Sequence, residues 1–155
     1  MKNVSKVILV FLLGMLLTGC KKSSVITTKC EKIFEDTKIK QTFTLESVNE
    51  DVKKMHVDYL FDNGMFAVDS LAVLDEETKE SIRKGGLTML KLNEESYQGL
   101  SINVSIEDKM NIEVAVDLKK VEPETLKNLN LNLDINNQKI STIKDYLTEN
   151  GYTCK

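Results

Sequence analysis

Two runs in the second half of the chain limit what it can fold into. Leu100, Ile102, Val104 and Ile106 alternate without a break with Ser101, Asn103, Ser105 and Glu107; after Asp108-Lys109, the run Ile112, Val114, Val116 and Leu118 does the same. Successive side chains of a strand point to opposite faces, so such runs call for a sheet with one dry and one wet face. The short polar break between them predicts an antiparallel hairpin. A second hairpin is predicted upstream. Between Lys38 and Val48, the residues Ile39, Gln41, Phe43 and Leu45 share a face opposite Lys40, Thr42, Thr44 and Glu46. Asn49-Glu50-Asp51 reads as a three-residue turn, and Met55, Val57, Tyr59 and Phe61 repeat the period within Val52 to Asp62.

The remaining segments are shorter or mixed. A first short strand is expected from Lys29 to Phe34. Met65 to Leu74 is apolar without a clear period. Acidic Asp75, Glu76 and Glu77 suit a helix N-terminus, where the macrodipole favours negative charge. A helix is predicted from about 75 to 97, with Ile82, Met89, Leu90 and Tyr97 on one face and Gly99 as its stop. Gly85-Gly86 could break it, since each glycine costs on the order of 1 kcal/mol against Ala. Glu122-Pro123-Glu124 suits a short helix with Pro at its first position. Leu129, Leu131, Leu133 and Ile135 alternate like a strand, but their asparagine-rich setting favours a loop. Ile140 to Asn150 is predicted helical, with Thr142 and Asp145 at capping-box spacing and Gly151 as C-cap. Tyr152 to Lys155 returns as an extended end. Together these elements predict a single α+β domain, an antiparallel sheet of two hairpins with helices packed on one face.

The N-terminus has a different grammar. Lys2 and Lys6 precede an apolar run from Val7 to Leu17, interrupted by Gly14. That run matches the core of a secretory signal and falls well short of the ~20 residues that span a bilayer as a helix. It ends in Leu17-Thr18-Gly19-Cys20, which resembles the lipobox of bacterial lipoproteins. The resemblance implies cleavage before Cys20 and acylation of its sulfur. Two or more chains give stable anchoring where one gives only marginal binding. The expected organisation is a signal peptide over 1–19, a lipidated cysteine with tether over 20–29, and the domain over 30–155. The protein would be exported and lipid-anchored, facing outside the cytoplasm.

Loss of residues 1–19 removes two of the 21 basic and none of the 24 acidic residues, so the net charge moves from −3 to −5. A mildly acidic domain with sparse aromatics and no Trp argues against nucleic-acid binding and against polybasic lipid binding. Two cysteines remain, Cys30 and Cys154. In an exported protein that is the number one disulfide requires, the alternative being two free thiols. No Cys-x-x-Cys spacing marks a redox centre.

The charged helix, Tyr97-Gln98-Gly99-Leu100, the run from Ile112-Glu113-Val114-Ala115-Val116 through Asp117-Leu118-Lys119-Lys120-Val121, and Asn150-Gly151-Tyr152 together resemble the YehR-type bacterial lipoproteins. The resemblance covers most of the mature chain. It implies an α+β domain, a lipid anchor, and no assigned activity, cofactor or site residues.

Candidate chemistry is thin. His56 is the sole histidine; it is expected on the face opposite Val57 and Tyr59, beside an Asp58 that points the other way, as a surface or rim residue. Asp75, Glu76, Glu77 and Glu80 lack the alternating oxygen ligands and glycine of a calcium loop and read as a solvated helix face. Asn103-Val104-Ser105 is a glycosylation sequon in form only. No metal or catalytic constellation is expected. The preferred reading is a non-enzymatic envelope module that binds a protein or cell-wall partner and shows an exposed apolar patch. The alternative is a small-molecule or lipid carrier with an enclosed apolar pocket between sheet and helices. An enzyme would require clustered polar residues with shifted pKa values in a cleft.

Overall fold

The computed structural model describes residues 24–92, 97–128 and 139–155. The signal, Cys20, the start of the tether and the 129–135 segment lie outside the described residues. In chain order the elements are β1 (Val25–Phe34), β2 (Ile39–Val48), β3 (Asp51–Phe61), α1 (Glu76–Met89), β4 (Leu100–Ile106), β5 (Met110–Val116), α2 (Pro123–Asn128), α3 (Ile140–Glu149) and β6 (Thr153–Cys154). The strands form one antiparallel sheet in the order β4-β5-β3-β2-β1-β6. Both expected hairpins are present, and the architecture is the predicted α+β domain.

Alternation drives the packing. Ile39, Phe43 and Leu45 of β2, Met55, Val57, Tyr59 and Phe61 of β3, and Met110, Ile112, Val114 and Val116 of β5 are buried on one face. Leu87 of α1, Leu126 of α2, and Ile143 and Leu147 of α3 close over that face. Full burial of each such side chain contributes about 1.5–3 kcal/mol. The segment without a clear period, 65–74, folds into two short 3-10 turns, Asn63–Phe66 and Leu71–Val73. These bury Leu71 and set Phe66 6.5 Å from Phe61.

Several boundaries differ from expectation, each for a local reason. β1 starts at Val25, four residues early, because Val25 to Thr28 pair with Val48 to Leu45; the expected tether therefore overlaps the first strand. The β2–β3 loop is two residues long. Asn49 and Glu50 both take the left-handed conformation, φ 52° and 76°, as in a type I′ turn, and a bulge follows where Val52 pairs with Ser47 and Lys54 with Glu46. Helix α1 is capped by Asp75, whose carboxylate accepts from the Thr78 N–H at 2.8 Å, but it ends at Met89 rather than 97. Met89, expected inward, is half exposed.

Neither glycine breaks α1. Gly86 sits against β5, where an added Cβ would lie 2.5 Å from Met110 Cε, while Gly85 faces open space. Gly99 is not the helix stop. It opens β4 at φ 79° with the Val121 backbone against it, a place with room for no side chain, and its carbonyl accepts from the Asp117 N–H at 2.8 Å. The capping box predicted at Thr142 and Asp145 is not formed, because α3 starts at Ile140 and places Thr142 inside the helix. Gly151 does end α3 as predicted. At φ 85° it lets Tyr152 N–H reach the Leu147 carbonyl at 3.0 Å.

The two ends of the domain are joined. Cys30 and Cys154 form a disulfide between β1 and β6, and the bond spans 124 positions. In the chain-entropy picture, closing so long a loop contributes up to ~5 kcal/mol. Tyr152 reinforces the junction, packing edge-on against Phe43 and donating its hydroxyl to Gln41 Oε1 at 2.6 Å.

Candidate functional site

Because the helices cover one face, the alternate residues of the same strands form an open face, and strand register sorts them into rows. One row runs Ser101, Ala115, His56, Thr44, Lys29; the next runs Asn103, Glu113, Asp58, Thr42, Glu31; a third runs Ser105, Asn111, Leu60, Lys40, Ile33. His56 and Asp58 are two apart in β3, so they share this face. The expectation that Asp58 points away from His56 is corrected by the strand period itself.

The middle row is electrostatically awkward. Asp58 lies directly across from Glu113, a like-charge pairing that disfavours the fold. Partial burial first, and Glu113 second, push the Asp58 carboxyl above its ordinary range, with His56 pulling it back. Glu113 also receives the side-chain amides of Asn111 at 3.2 Å and Asn103 at 3.4 Å. Elsewhere the face is stitched by ordinary surface pairs, Lys40 to Glu31 at 2.9 Å and Lys54 to Glu46 at 3.1 Å. In the third row Ile33 and Leu60 expose apolar surface on either side of Lys40.

Among the described residues, clefts open on this face and at its ends. One, of 620 Å³, is lined by Lys53, Lys54, His56, Leu100, Lys119 and Lys120, among others. A second, of 480 Å³, lies along the β1–β6 edge between Thr27, Lys29, Glu31 and Lys155. The third, of 220 Å³, gathers Ile33, Leu60, Lys38, Lys40 and Lys109. The lysine pairs Lys53-Lys54 and Lys119-Lys120 were not singled out from sequence. The signal was two dilysines at strand ends, but their meeting depends on the pairing of Met55 with Val116.

The remaining candidates stay apart from these clefts. Asp75 is consumed as the α1 cap. Glu76 pairs with Lys79 at 3.0 Å, and Glu80 takes the Arg83 guanidinium through both oxygens at 2.7 and 2.9 Å, which holds its carboxyl down at about 2. Cys30 and Cys154 are spent in their bond. Among the described residues, no three His, Cys, Asp or Glu side chains are grouped to hold a metal, and no helix is long and apolar enough to cross a membrane. His56 and Asp58 share a face, but among the described residues no hydrogen bond joins them to a nucleophile.

The chain matches no protein-family model and no curated protein by sequence. Among solved structures it is similar to the Escherichia coli YehR protein, with a TM-score of 0.64 at 14% identity over 86% of this chain and 92% of that one. It also matches a protein from Streptococcus pneumoniae TIGR4, with a TM-score of 0.49 at 13% identity over 90% of each chain. The likeness to YehR is one of fold, and it agrees with the fold that the sequence resemblance implied.

Proposed function

We propose that this chain is an exported bacterial lipoprotein anchored through Cys20, whose domain is a non-enzymatic binding module presenting its open sheet face to an envelope protein or cell-wall partner. The carrying observation is the asymmetry of the sheet. Helices and the 63–74 turns cover one face, while the other offers a broad polar surface with Ile33 and Leu60 exposed in one row. The Asp58–Glu113 juxtaposition supports the same reading, because a face selected only for stability would not keep it.

The carrier alternative has less support. The space between sheet and helices, where an apolar ligand would sit, is occupied by Leu45, Val57, Phe61, Met110, Ile112, Val114 and Leu126, all without exposed surface. The test is photocrosslinking in intact cells from a residue analogue at Thr42 on the open face and, as control, at Glu77 on α1. A discrete adduct from Thr42 alone is expected. Equal adducts from both positions, or none from Thr42 over the range of growth conditions, would sink the binding-face reading. Changing Cys20→Ala should release the anchored form from membranes; unchanged fractionation would remove the anchor.

A further inference from the structure

The sheet has two unlike ends. At one end lie the start of β1, the β2–β3 turn, the residues after β5 and the entry to α3, held together by the pairing of Val25 with Val48 and of Asp51 with Lys139. Here Lys53, Lys54, Lys119, Lys120 and Lys139 balance Glu46, Glu50, Asp51, Asp117 and Glu122. Lys120 bonds Asp117 at 2.9 Å, Lys54 bonds Glu46 at 3.1 Å, Lys53 bonds Asp51 at 3.4 Å, and Lys139 bonds Asp51 at 2.6 Å. At the other end, around the β1–β2 and β4–β5 turns, Glu35, Asp36, Asp62, Asp69, Glu107 and Asp108 outnumber Lys38, Lys40 and Lys109. An acidic domain is thus polarised along its strands, its negative charge concentrated at one end. The net charge of the chain, which argues against polybasic lipid binding, averages over this distribution.

Two further observations say what the charge-balanced end meets. Val25 and Ile26 are 62% and 57% exposed there, large apolar side chains at the point where the domain begins. Val25 follows Cys20 by five positions, a reach of at most ~18 Å. An acylated Cys20 would therefore hold this end, and not the acidic one, against the bilayer.

We infer that the end of the sheet carrying Val25, Ile26 and the cleft of Lys53, Lys54, Lys119 and Lys120 docks on the anionic headgroups of the bilayer that holds the anchor, turning the acidic end away from the lipid. The inference rests on the Cys20 anchor proposed above. Attraction of lysines within a Debye length of an anionic leaflet, combined with repulsion of the acidic end, orients the domain, while the two apolar side chains enter the interface. Docked in this way, the open face stands clear of the membrane and accessible to a partner.

The chain has no Trp, so single tryptophans report cleanly. The lipidated full chain would carry either Val25→Trp or, at the opposite end, Val73→Trp, where Val73 is 81% exposed and neighbours Leu71, whose N–H bonds Asp108. Each would be placed in vesicles of brominated phosphatidylcholine, with and without phosphatidylglycerol. Quenching at position 25 should exceed that at 73 several-fold in the anionic vesicles. It should fall when Lys53, Lys54, Lys119 and Lys120 are all changed to Gln, or when salt is raised with the lysines intact. Equal quenching at both positions, or quenching indifferent to phosphatidylglycerol, salt and the lysines, would overturn the docking while the protein still floats with the vesicles. Failure to float would overturn the anchor and the docking with it.

Discussion

Along β2 the side chains from Ile39 to Ser47 alternate between two environments: Ile39, Gln41, Phe43, Leu45 and Ser47 are buried, while Lys40, Thr42, Thr44 and Glu46 stay half open. β3 and β5 continue both faces. The covered side is dry, and its polar members are few and satisfied, as where Gln41 accepts from Tyr152. The open side tolerates a carboxylate facing a carboxylate. One face carries the stability of the fold, which leaves the other free for residues that stability alone would not choose.

Removing volume from the covered face should show the largest effect. Phe61→Ala empties a fully buried site beside Phe66 and is expected to cost about 3–5 kcal/mol, read as the shift in a urea unfolding midpoint. A loss below ~1 kcal/mol would mean that this face is not the core. Gly85 and Gly86 sharpen the contrast within a single helix turn. Gly85→Ala should stabilise by up to ~1 kcal/mol through helix propensity. Gly86→Ala gains the same propensity but must displace the buried end of Met110, so it should fall below Gly85→Ala by about 1–3 kcal/mol. Equal melting temperatures for the two variants would contradict the close approach of α1 to β5.

On the open face, Ile33→Ala should cost less than ~1 kcal/mol while weakening partner crosslinking, a separation impossible for a core residue. Asp58→Asn tests the unfavourable pairing through pH. The folded carboxyl ionises at higher pH than the unfolded one, so no penalty exists below the unfolded value of about 3.9. The penalty grows as pH rises through the raised folded value and then persists. The variant should therefore be more stable than the parent near neutral pH and no more stable at about pH 3. Glu80 behaves oppositely. Its folded value near 2 lies below the unfolded one, so the support it gives is complete above the unfolded value and is lost as pH falls toward 2.

The hairpins were legible because a period of two is written in residue type, and Ile112, Val114 and Val116 cannot be turned outward without exposing apolar surface. Their ends were less so. Nothing in Glu50 announces a left-handed backbone, so the turn reads one residue too long. Val25 to Thr28 look like linker because two threonines follow the apolar pair, yet β-branched residues suit the strand they form. The end of α1 is hard to read from sequence because Met89 and Tyr97 mimic a continuing apolar face, whereas the backbone turns left-handed at Lys91. Gly85 and Gly86 look alike in one dimension and are told apart only by Met110. The lysine cleft was hidden for a related reason: its members lie more than sixty positions apart and meet only through the β3–β5 register.

Whether this two-faced domain stands on a membrane by its first cysteine is decided by mass. Native protein extracted with detergent should give an intact mass for a chain beginning at Cys20, increased by a diacylglyceryl group and lowered by the two hydrogens of the Cys30–Cys154 bond, which return on reduction. A mass for a chain beginning at Met1, or for an unmodified polypeptide, would contradict it.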